Sequence, residues 1–368
     1  MSTKGKHEAV VGLDLLRSAA ALLVCLYHYG FTAHAHPETP LHRAMSDAAP
    51  FSSIEPFARA SFVGVEIFFV ISGFVIAFTA NGRPAGRFLQ GRIERLLPAA
   101  WVCATITLVC LVATGNPLDD SGYVRPYLRS LLMIPRAPWI DSVYWTLAVE
   151  IVFYAIVLAL IAARRLHWLA IVMGTVGGLS TALGLYMVLR PQPVLDLHPW
   201  LIFNFIKNGA AFATGCFLWL ALQDPAKFRS RLALAGLFAI GAALEIHAST
   251  FIDPMNQHPW QAVMLFGVLF AVLVAAIFTN EFWLRHTSPR ARTVVRLLGI
   301  STYPFYLLHN FAGATLLGAL VREAGLDDTV AALLTIATVM ATSILIASVI
   351  EPRLRGVMRS LLGAIKLR

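Results

Sequence analysis

Arg17 and His28 carry the strongest chemical signal in the first apolar stretch. Eleven helical steps of about 100° place both side chains within about 20° of one face, about 16 Å apart along the axis. An imidazole can act as a general base near neutral pH, and a guanidinium binds phosphate through paired hydrogen bonds. The stretch therefore predicts a phosphate contact at one depth and a proton acceptor at another. A packed histidine and an arginine that reaches the lipid headgroups would explain the same residues.

Two carboxylates lie in later apolar stretches, where an ionisable side chain needs a partner or a water-filled cavity. Glu66 lies at a depth similar to that of His28. A carboxylate bonded to one imidazole nitrogen would raise the basicity of the other nitrogen. Glu150 lies deeper than Trp145, which fits an interfacial aromatic belt. We expect Glu66 or Glu150 to orient His28, and the alternative for both is a structural carboxylate bonded to backbone or to another helix.

The segment 86–98 is short, basic and amphipathic. Arg92 and Arg95 share a face because they lie three residues apart on a helix. Two guanidinium groups at a membrane mouth suit the pyrophosphate and 3′-phosphate of coenzyme A, or the headgroup of a phospholipid. The general excess of basic residues on the cytoplasmic side of membrane proteins is the alternative explanation.

Further polar residues lie in the later apolar stretches. One stretch contains Tyr303, Pro304 and His309. A proline inside a span frees backbone groups that can line a cavity, and a structural kink explains it equally well. Lys207 and Glu245 lie near outer helix ends and carry the weakest argument for function. The four cysteines have neither metal-ligand nor disulfide spacing, so we expect core thiols and no metal site.

Composition identifies the elements that must position these residues. Hydrophobic residues make up 58% of the 368 residues, charged residues make up 13%, and the mean hydropathy is +0.71. Ordinary soluble domains have about 45–50% apolar and about 25% charged residues, so a soluble globular protein is excluded. Basic cytoplasmic loops explain the net charge of +9. Because no recognition motif accompanies that charge, we expect no nucleic-acid partner.

Apolar runs long enough to cross a bilayer core of about 30 Å predict an all-α polytopic membrane protein with about ten transmembrane helices. The predicted helices are 10–31, 62–80, 97–114, 142–163, 167–190, 200–222, 231–248, 260–282, 293–319 and 328–350. If the N-terminus is cytoplasmic, twenty basic residues fall on the inner side and seven on the outer side. Both termini are therefore expected in the cytoplasm. We expect residues 1–368 to form a single membrane domain without a cleaved signal peptide.

Five short segments, in order along the chain, resemble the motifs of the acyltransferase-3 family of bacterial membrane acyltransferases. The first segment opens at Gly12, and in it an arginine is followed after ten residues by a histidine. The other four are Phe68–Ile76, Arg92–Pro98, Trp145–Glu150 and Ser301–His309. The resemblance extends over nearly the whole chain.

The resemblance implies transfer of an acyl group, most often acetyl, from cytoplasmic acyl-CoA to a hydroxyl of a sugar or polyprenyl-linked glycan at the bacterial inner membrane. His28 then matches the family's essential histidine, and Arg17, Arg92 and Arg95 match positions tied to the donor. Residues of the matched segments that we expect to contact the substrates are Asp14, Ser72, Trp145, Tyr303 and His309. A C-terminal hydrolase-like domain, which some members add, is not expected here.

The sequence therefore predicts an O-acyltransferase whose arginines hold the coenzyme A phosphates, with the thioester extending toward His28. His28 would deprotonate the acceptor hydroxyl or carry the acyl group transiently. The alternative is a proton-coupled secondary transporter of a glycan or an acylated substrate, but the chain shows no related halves. A lipid-carrier glycosyltransferase would need outer acidic groups, for which Asp119 and Asp120 are candidates. We expect the outer loops 32–61 and 115–141 to select the acceptor.

Overall fold

The computed structural model describes residues 11–45, 48, 54–115, 122–190, 200–253, 255–256 and 258–364. The pair Asp119 and Asp120 lies outside these ranges. The described residues form helices and no strand. The helices are α1 (Val11–Tyr27), α2 (Ala33–Ala35), α3 (Pro40–Ala44), α4 (Glu55–Ala60), α5 (Gly64–Ala80), α6 (Ala85–Thr114), α7 (Val124–Leu131), α8 (Tyr144–Ala162), α9 (Leu169–Leu189), α10 (Trp200–Lys207), α11 (Gly209–Gln223), α12 (Phe228–Ile252), α13 (Pro259–Phe278), α14 (Asn280–His286), α15 (Pro289–Leu308), α16 (Phe311–Arg322), α17 (Asp328–Leu345) and α18 (Glu351–Ala364).

In the described part of the chain, eight helical segments are long and apolar enough to cross a membrane. Two bent helix pairs bring the number to ten if each pair forms one span. The pairs are α10 with α11, bent by 50°, and α15 with α16, bent by 74°. The expected all-α polytopic membrane fold with about ten transmembrane helices is confirmed.

Several of the predicted helices have different limits in the structure, and three of the differences concern the site. The helix predicted at 97–114 begins at Ala85 and continues through Pro98, so the basic segment 86–98 is its first part and not a separate element. The charged side chains of that first part lower its hydropathy, so a search for apolar runs detects only the part of the helix that crosses the membrane. The helices predicted at 200–222 and 293–319 are each divided by a bend. Hydropathy cannot locate such a bend, because both halves are apolar.

Local sequence explains where several helices begin and end. Ser288 precedes Pro289, and its Oγ accepts a hydrogen bond from the backbone N–H of Ala291 at 3.2 Å, which begins α15. Gly115 ends α6 with a φ of 65°, a left-handed conformation that glycine adopts readily. A π-helical turn, His28–Thr32, directly follows α1. His28 therefore begins an irregular turn, a feature often found at functional sites.

Helices α5 and α11 cross at close range. A Cβ atom at Gly73 would overlap the backbone of Phe212, and a Cβ atom at Gly215 would overlap the backbone of Val70. Small residues permit this approach between membrane helices. Helix α5 also packs against α1, which carries Arg17, and against α8, which carries Glu150. The crossing thus helps to position the helices of the candidate site.

Candidate active site

The three arginines predicted to hold the donor line one partly open cavity of about 130 Å³. Arg17 comes from α1, and Arg92 and Arg95 come from α6. The guanidinium carbon of Arg92 lies 5.6 Å from the ring centroid of Phe88, and that of Arg95 lies 5.7 Å from the ring centroid of Tyr303. The buried Nε of Arg92 has no hydrogen-bond partner among the described residues. The cavity therefore combines concentrated positive charge with a free hydrogen-bond donor.

Glu150, Ser72 and Tyr303 line the same cavity. The Ser72 hydroxyl donates a hydrogen bond to Oε1 of Glu150 at 2.5 Å, and the Tyr303 hydroxyl donates to the carbonyl of Leu96 at 3.3 Å. Glu150 also lies within electrostatic range of Arg17. Glu150 therefore belongs to the arginine cavity.

Asp14 lies one helical turn before Arg17. Its Oδ1 is 3.7 Å from Nη1 of Arg17. Gly299 of α15, which lines the cavity, lies so close that a Cβ atom there would be 2.5 Å from the Cβ of Asp14. Asp14 thus places a carboxylate behind the cavity wall and offsets part of its positive charge.

Trp145 supports the cavity from outside its lining. Its ring packs edge to face against Phe69, with centroids 6.1 Å apart. Phe69 itself lines the cavity. Trp145 is therefore one layer removed from the space that a substrate could enter.

His28 and His309 form a hydrogen-bonded pair. Nδ1 of His28 lies 2.9 Å from Nε2 of His309, and the nearly parallel rings have centroids 5.0 Å apart. Nδ1 of His309 lies 2.8 Å from the carbonyl oxygen of Tyr306. Because a carbonyl can only accept, Nδ1 of His309 carries the proton and Nε2 accepts from His28. Neutral His28 therefore keeps its lone pair on Nε2.

His309 occupies the position beside His28 that the sequence led us to expect for a carboxylate. Glu66 lies instead within electrostatic range of Lys207 and Glu245, whose Nζ and Oε1 atoms form an ion pair at 3.0 Å. The buried Oε2 of Glu66 has no hydrogen-bond partner in the part of the chain that the structure describes. In that same part, neither Glu66 nor Glu150 makes a hydrogen bond to His28.

Tyr306 joins the arginine cavity to the histidine pair. Tyr306 lines the cavity, and its hydroxyl accepts a hydrogen bond from Oγ1 of Thr146 at 3.1 Å. Its backbone carbonyl accepts from His309, as described above. The cavity and the histidine pair are therefore neighbours that share Tyr306, although neither His28 nor His309 is among the described residues that line the cavity.

Asp141 lies beside the histidine pair, and no motif of the sequence indicates it. It lies just before α8, only 2% exposed, and accepts hydrogen bonds from Nδ2 of Asn310 at 2.6 Å and from the backbone N–H of Phe311 at 3.0 Å. Burial raises the pKa of the Asp141 carboxyl, and these hydrogen bonds oppose that shift. A lone aspartate at the end of a loop gives no periodic signal, so only its proximity to His309 identifies it.

Metal ligands are not grouped in the described ranges. No three His, Cys, Asp or Glu side chains there lie close enough to hold an ion. Cys25, Cys103 and Cys216 are buried free thiols. The polar groups that line the arginine cavity or form the histidine pair are guanidinium, carboxyl, hydroxyl and imidazole groups.

Comparison with known proteins agrees with the motifs. The model of the acyltransferase-3 family, described as an acyltransferase domain, matches residues 10–351. The chain is 26% identical over 260 residues to the exopolysaccharide production protein ExoZ of Rhizobium meliloti, covering 68% of this chain and 75% of ExoZ. It is 23% identical over 344 residues to the peptidoglycan O-acetyltransferase OatA of Listeria monocytogenes, covering 84% of this chain and 50% of OatA. No solved structure matches the chain.

The family match covers the arginine cavity and the histidine pair together, and it confirms the resemblance carried by the five motifs. The spans confirm a multi-pass membrane protein. Because the family model covers nearly the whole chain, this protein belongs to the acyltransferase-3 family and is a membrane acyltransferase.

Proposed function

We propose that this protein transfers an acyl group from cytoplasmic acyl-CoA to a hydroxyl of a sugar in a cell-surface or exported glycan. The observation that carries the proposal is that Tyr306 lines the arginine cavity and also contacts His309 of the histidine pair. The name of OatA, a peptidoglycan O-acetyltransferase, favours acetyl as the acyl group and a glycan as the acceptor. The positive-inside pattern favours an orientation with both termini in the cytoplasm, and the membrane that we propose is the inner membrane of a bacterium.

Acyl-CoA supplies an activated thioester and several phosphates on one molecule. Arg17, Arg92 and Arg95 would bind those phosphates, because charge-assisted bonds to guanidinium groups are strong and directional. The free, buried Nε of Arg92 supports this use, since it has a hydrogen to donate and no partner among the described residues. With a cytoplasmic N-terminus, the arginines lie toward the inner side and His28 lies toward the outer side.

His28 would act as the general base. Its Nε2 lone pair accepts the proton of the acceptor hydroxyl while the hydroxyl oxygen forms a C–O bond to the acyl carbon and the C–S bond breaks. His28 then returns the proton to the leaving sulfur, so that free coenzyme A departs as a thiol. Proton transfer by a positioned base contributes about 10²–10⁴-fold to a rate, and the rest must come from positioning.

Attack by the same nitrogen on the thioester would give a transient acyl-histidine, the second route that the sequence left open. The acyl-enzyme keeps one acyl group on the protein after coenzyme A has left. Rapid acid quenching followed by mass spectrometry of the peptide that contains His28 separates the two routes. A mass increase by one acyl group supports the covalent route, and its absence during turnover supports direct transfer.

The first test is release of free coenzyme A from acetyl-CoA by the purified full chain, with and without a crude lipid-linked glycan extract. We expect glycan-stimulated release by the wild type, loss of that release in His28→Ala, and wild-type release in His167→Ala, which changes an exposed histidine outside the site. A proton-coupled transporter has no reason to consume the thioester. Folded wild-type protein that releases no coenzyme A from acetyl-CoA or from longer and dicarboxylic acyl-CoAs would overturn the proposal in favour of that transporter.

A further inference from the structure

The break between α15 and α16 is held by a residue from elsewhere in the chain. The two helices meet at 74°, and His309 and Asn310 form the corner. Asp141 reaches this corner from the loop before α8, with Oδ1 bonded to Nδ2 of Asn310 and Oδ2 bonded to the first backbone N–H of α16. The carboxylate therefore fixes the residue that follows His309 and caps the next helix.

The other side of His309 is held by the element that carries His28. The hydroxyl of Tyr29 donates a hydrogen bond to the backbone carbonyl of His309 at 2.5 Å. Tyr29 belongs to the π-helical turn that begins at His28. His309 is thus clamped from two sides. Asp141 holds the two residues that follow it, and Tyr29, on the turn that carries His28, holds its backbone carbonyl.

The position of His309 determines the protonation pattern of His28. Nε2 of His309 can accept a hydrogen bond only in the neutral tautomer that carries its proton on Nδ1, and the hydrogen bond from Nδ1 to the Tyr306 carbonyl favours that tautomer. If the corner relaxes, His28 Nδ1 loses its acceptor and neutral His28 can carry its proton on Nε2 instead. That tautomer has no lone pair on Nε2, the nitrogen that serves as the base.

We propose that Asp141 is a positioning residue that fixes the tautomer of His28 by clamping the corner at His309 and Asn310. The inference rests on the proposed function of His28 as a base. Asp141 acts through His309 and does not touch the substrate.

The number of donors explains why a carboxylate is needed at position 141. Three N–H groups converge on it: Nδ2 of Asn310, the backbone N–H of Phe311 and the backbone N–H of Val143 at 3.2 Å. A carboxylate has two accepting oxygens and no proton of its own, whereas a carboxamide has one oxygen and presents a donor at the second site. Replacement by asparagine should therefore loosen the corner partly, and replacement by alanine should loosen it fully.

The test compares Asp141→Ala, Asp141→Asn and Asp327→Ala in the full chain. Asp327 is the matched control, because it also caps a helix, accepting from the backbone N–H groups of Thr329 and Val330. It lies at the start of α17 and not at the corner. Two quantities are measured: kcat and the KM for acetyl-CoA in glycan-stimulated coenzyme A release, and the tautomer of His28 by ¹⁵N NMR of histidine-labelled protein.

For Asp141→Ala we expect kcat to fall on the order of 100-fold, the loss that a small misplacement of a reacting group can cause. The KM for acetyl-CoA should stay within about twofold, because the arginines are untouched. The His28 signal should change from one protonated at Nδ1 to a mixture of tautomers. Asp141→Asn should fall between Asp141→Ala and the wild type, and Asp327→Ala should match the wild type in both quantities.

The outcome that overturns the positioning role is an unchanged His28 tautomer in Asp141→Ala, with kcat equal to that of Asp327→Ala, while His28→Ala is inactive. The proposed function fails separately if His28→Ala keeps full activity, whatever the tautomer in the Asp141 variants. If Asp141→Ala does not fold, Asn310→Ala takes its place, since it removes one arm of the clamp and leaves the bond to Phe311. The same tautomer change is then expected, and its absence contradicts the inference.

Discussion

His28 and His309 are 281 positions apart in the chain, yet Nδ1 of one lies 2.9 Å from Nε2 of the other. This hydrogen bond fixes which nitrogens of the two histidines carry protons. Nδ1 of His309 donates to the Tyr306 carbonyl, Nδ1 of His28 donates to Nε2 of His309, and Nε2 of His28 keeps its lone pair. The pair explains how a protein without a carboxylate bonded to His28 in its described residues can still present a histidine base.

Removal of His309 should reduce catalysis without changing donor binding. We expect His309→Ala to lower kcat by about 10²-fold, the lower end of the range for a misdirected base, because His28 Nδ1 loses its acceptor. His309→Gln should retain part of that activity, since its side-chain carbonyl can accept the same hydrogen bond. Steady-state kinetics of coenzyme A release measures both variants. Equal losses in the two variants would show that an acceptor at this position is unimportant.

The three arginines should govern donor affinity. Arg17→Ala, Arg92→Ala and Arg95→Ala should each raise the KM for acetyl-CoA by about tenfold or more, because a hydrogen bond to a charged group contributes about 1.5–3 kcal/mol. Arg87→Ala is the matched control, an exposed arginine of the same helix outside the cavity lining. Dephospho-CoA derivatives, which lack the 3′-phosphate, identify the arginine that binds that group. The variant whose KM no longer depends on the 3′-phosphate carries the contact, and unchanged KM values in all three variants would contradict donor binding in this cavity.

The close crossing of α5 and α11 should make Gly215 intolerant of any side chain. Gly215→Ala places a Cβ atom against the backbone of Val70, and overpacking of this kind costs about 1–3 kcal/mol of folding free energy. Gly267→Ala on α13 meets no atom within 4 Å and should be neutral or slightly stabilising. The thermal unfolding midpoint in detergent measures both. Equal midpoints for the two variants would argue against the close crossing.

The ion pair of Lys207 and Glu245 should be important for stability. Glu245 is 4% exposed, and its Oε1 accepts from Lys207 and from the Ser249 hydroxyl at 2.6 Å. Lys207→Met leaves that carboxylate without its counter-charge and should cost about 3–5 kcal/mol. The double variant Lys207→Met with Glu245→Gln should recover much of the loss, because the unpaired charge is gone. Thermal unfolding of the single and double variants measures the recovery, and a double variant no more stable than Lys207→Met would disprove the pairing.

Much of the site could be read from the sequence because its signals are local. The spacing of Arg17 and His28 predicts that both lie on one helix face, and the three-residue spacing of Arg92 and Arg95 predicts the same for a second helix. In the structure, the three arginines line one cavity, and His28 belongs to the neighbouring histidine pair. Their roles remain predictions that the kinetic tests address.

The sequence by itself determined the fold class, the approximate number of spans and the family, because apolar length and short motifs are properties of consecutive residues. It did not indicate that His309 would take the place expected for Glu66, or that Asp141 and Asn310 would form a clamp. Those contacts join residues separated by more than a hundred positions and depend on how bent helices pack. Only the tertiary structure decides them, since the energy of a buried hydrogen bond depends on which partner the fold brings within reach.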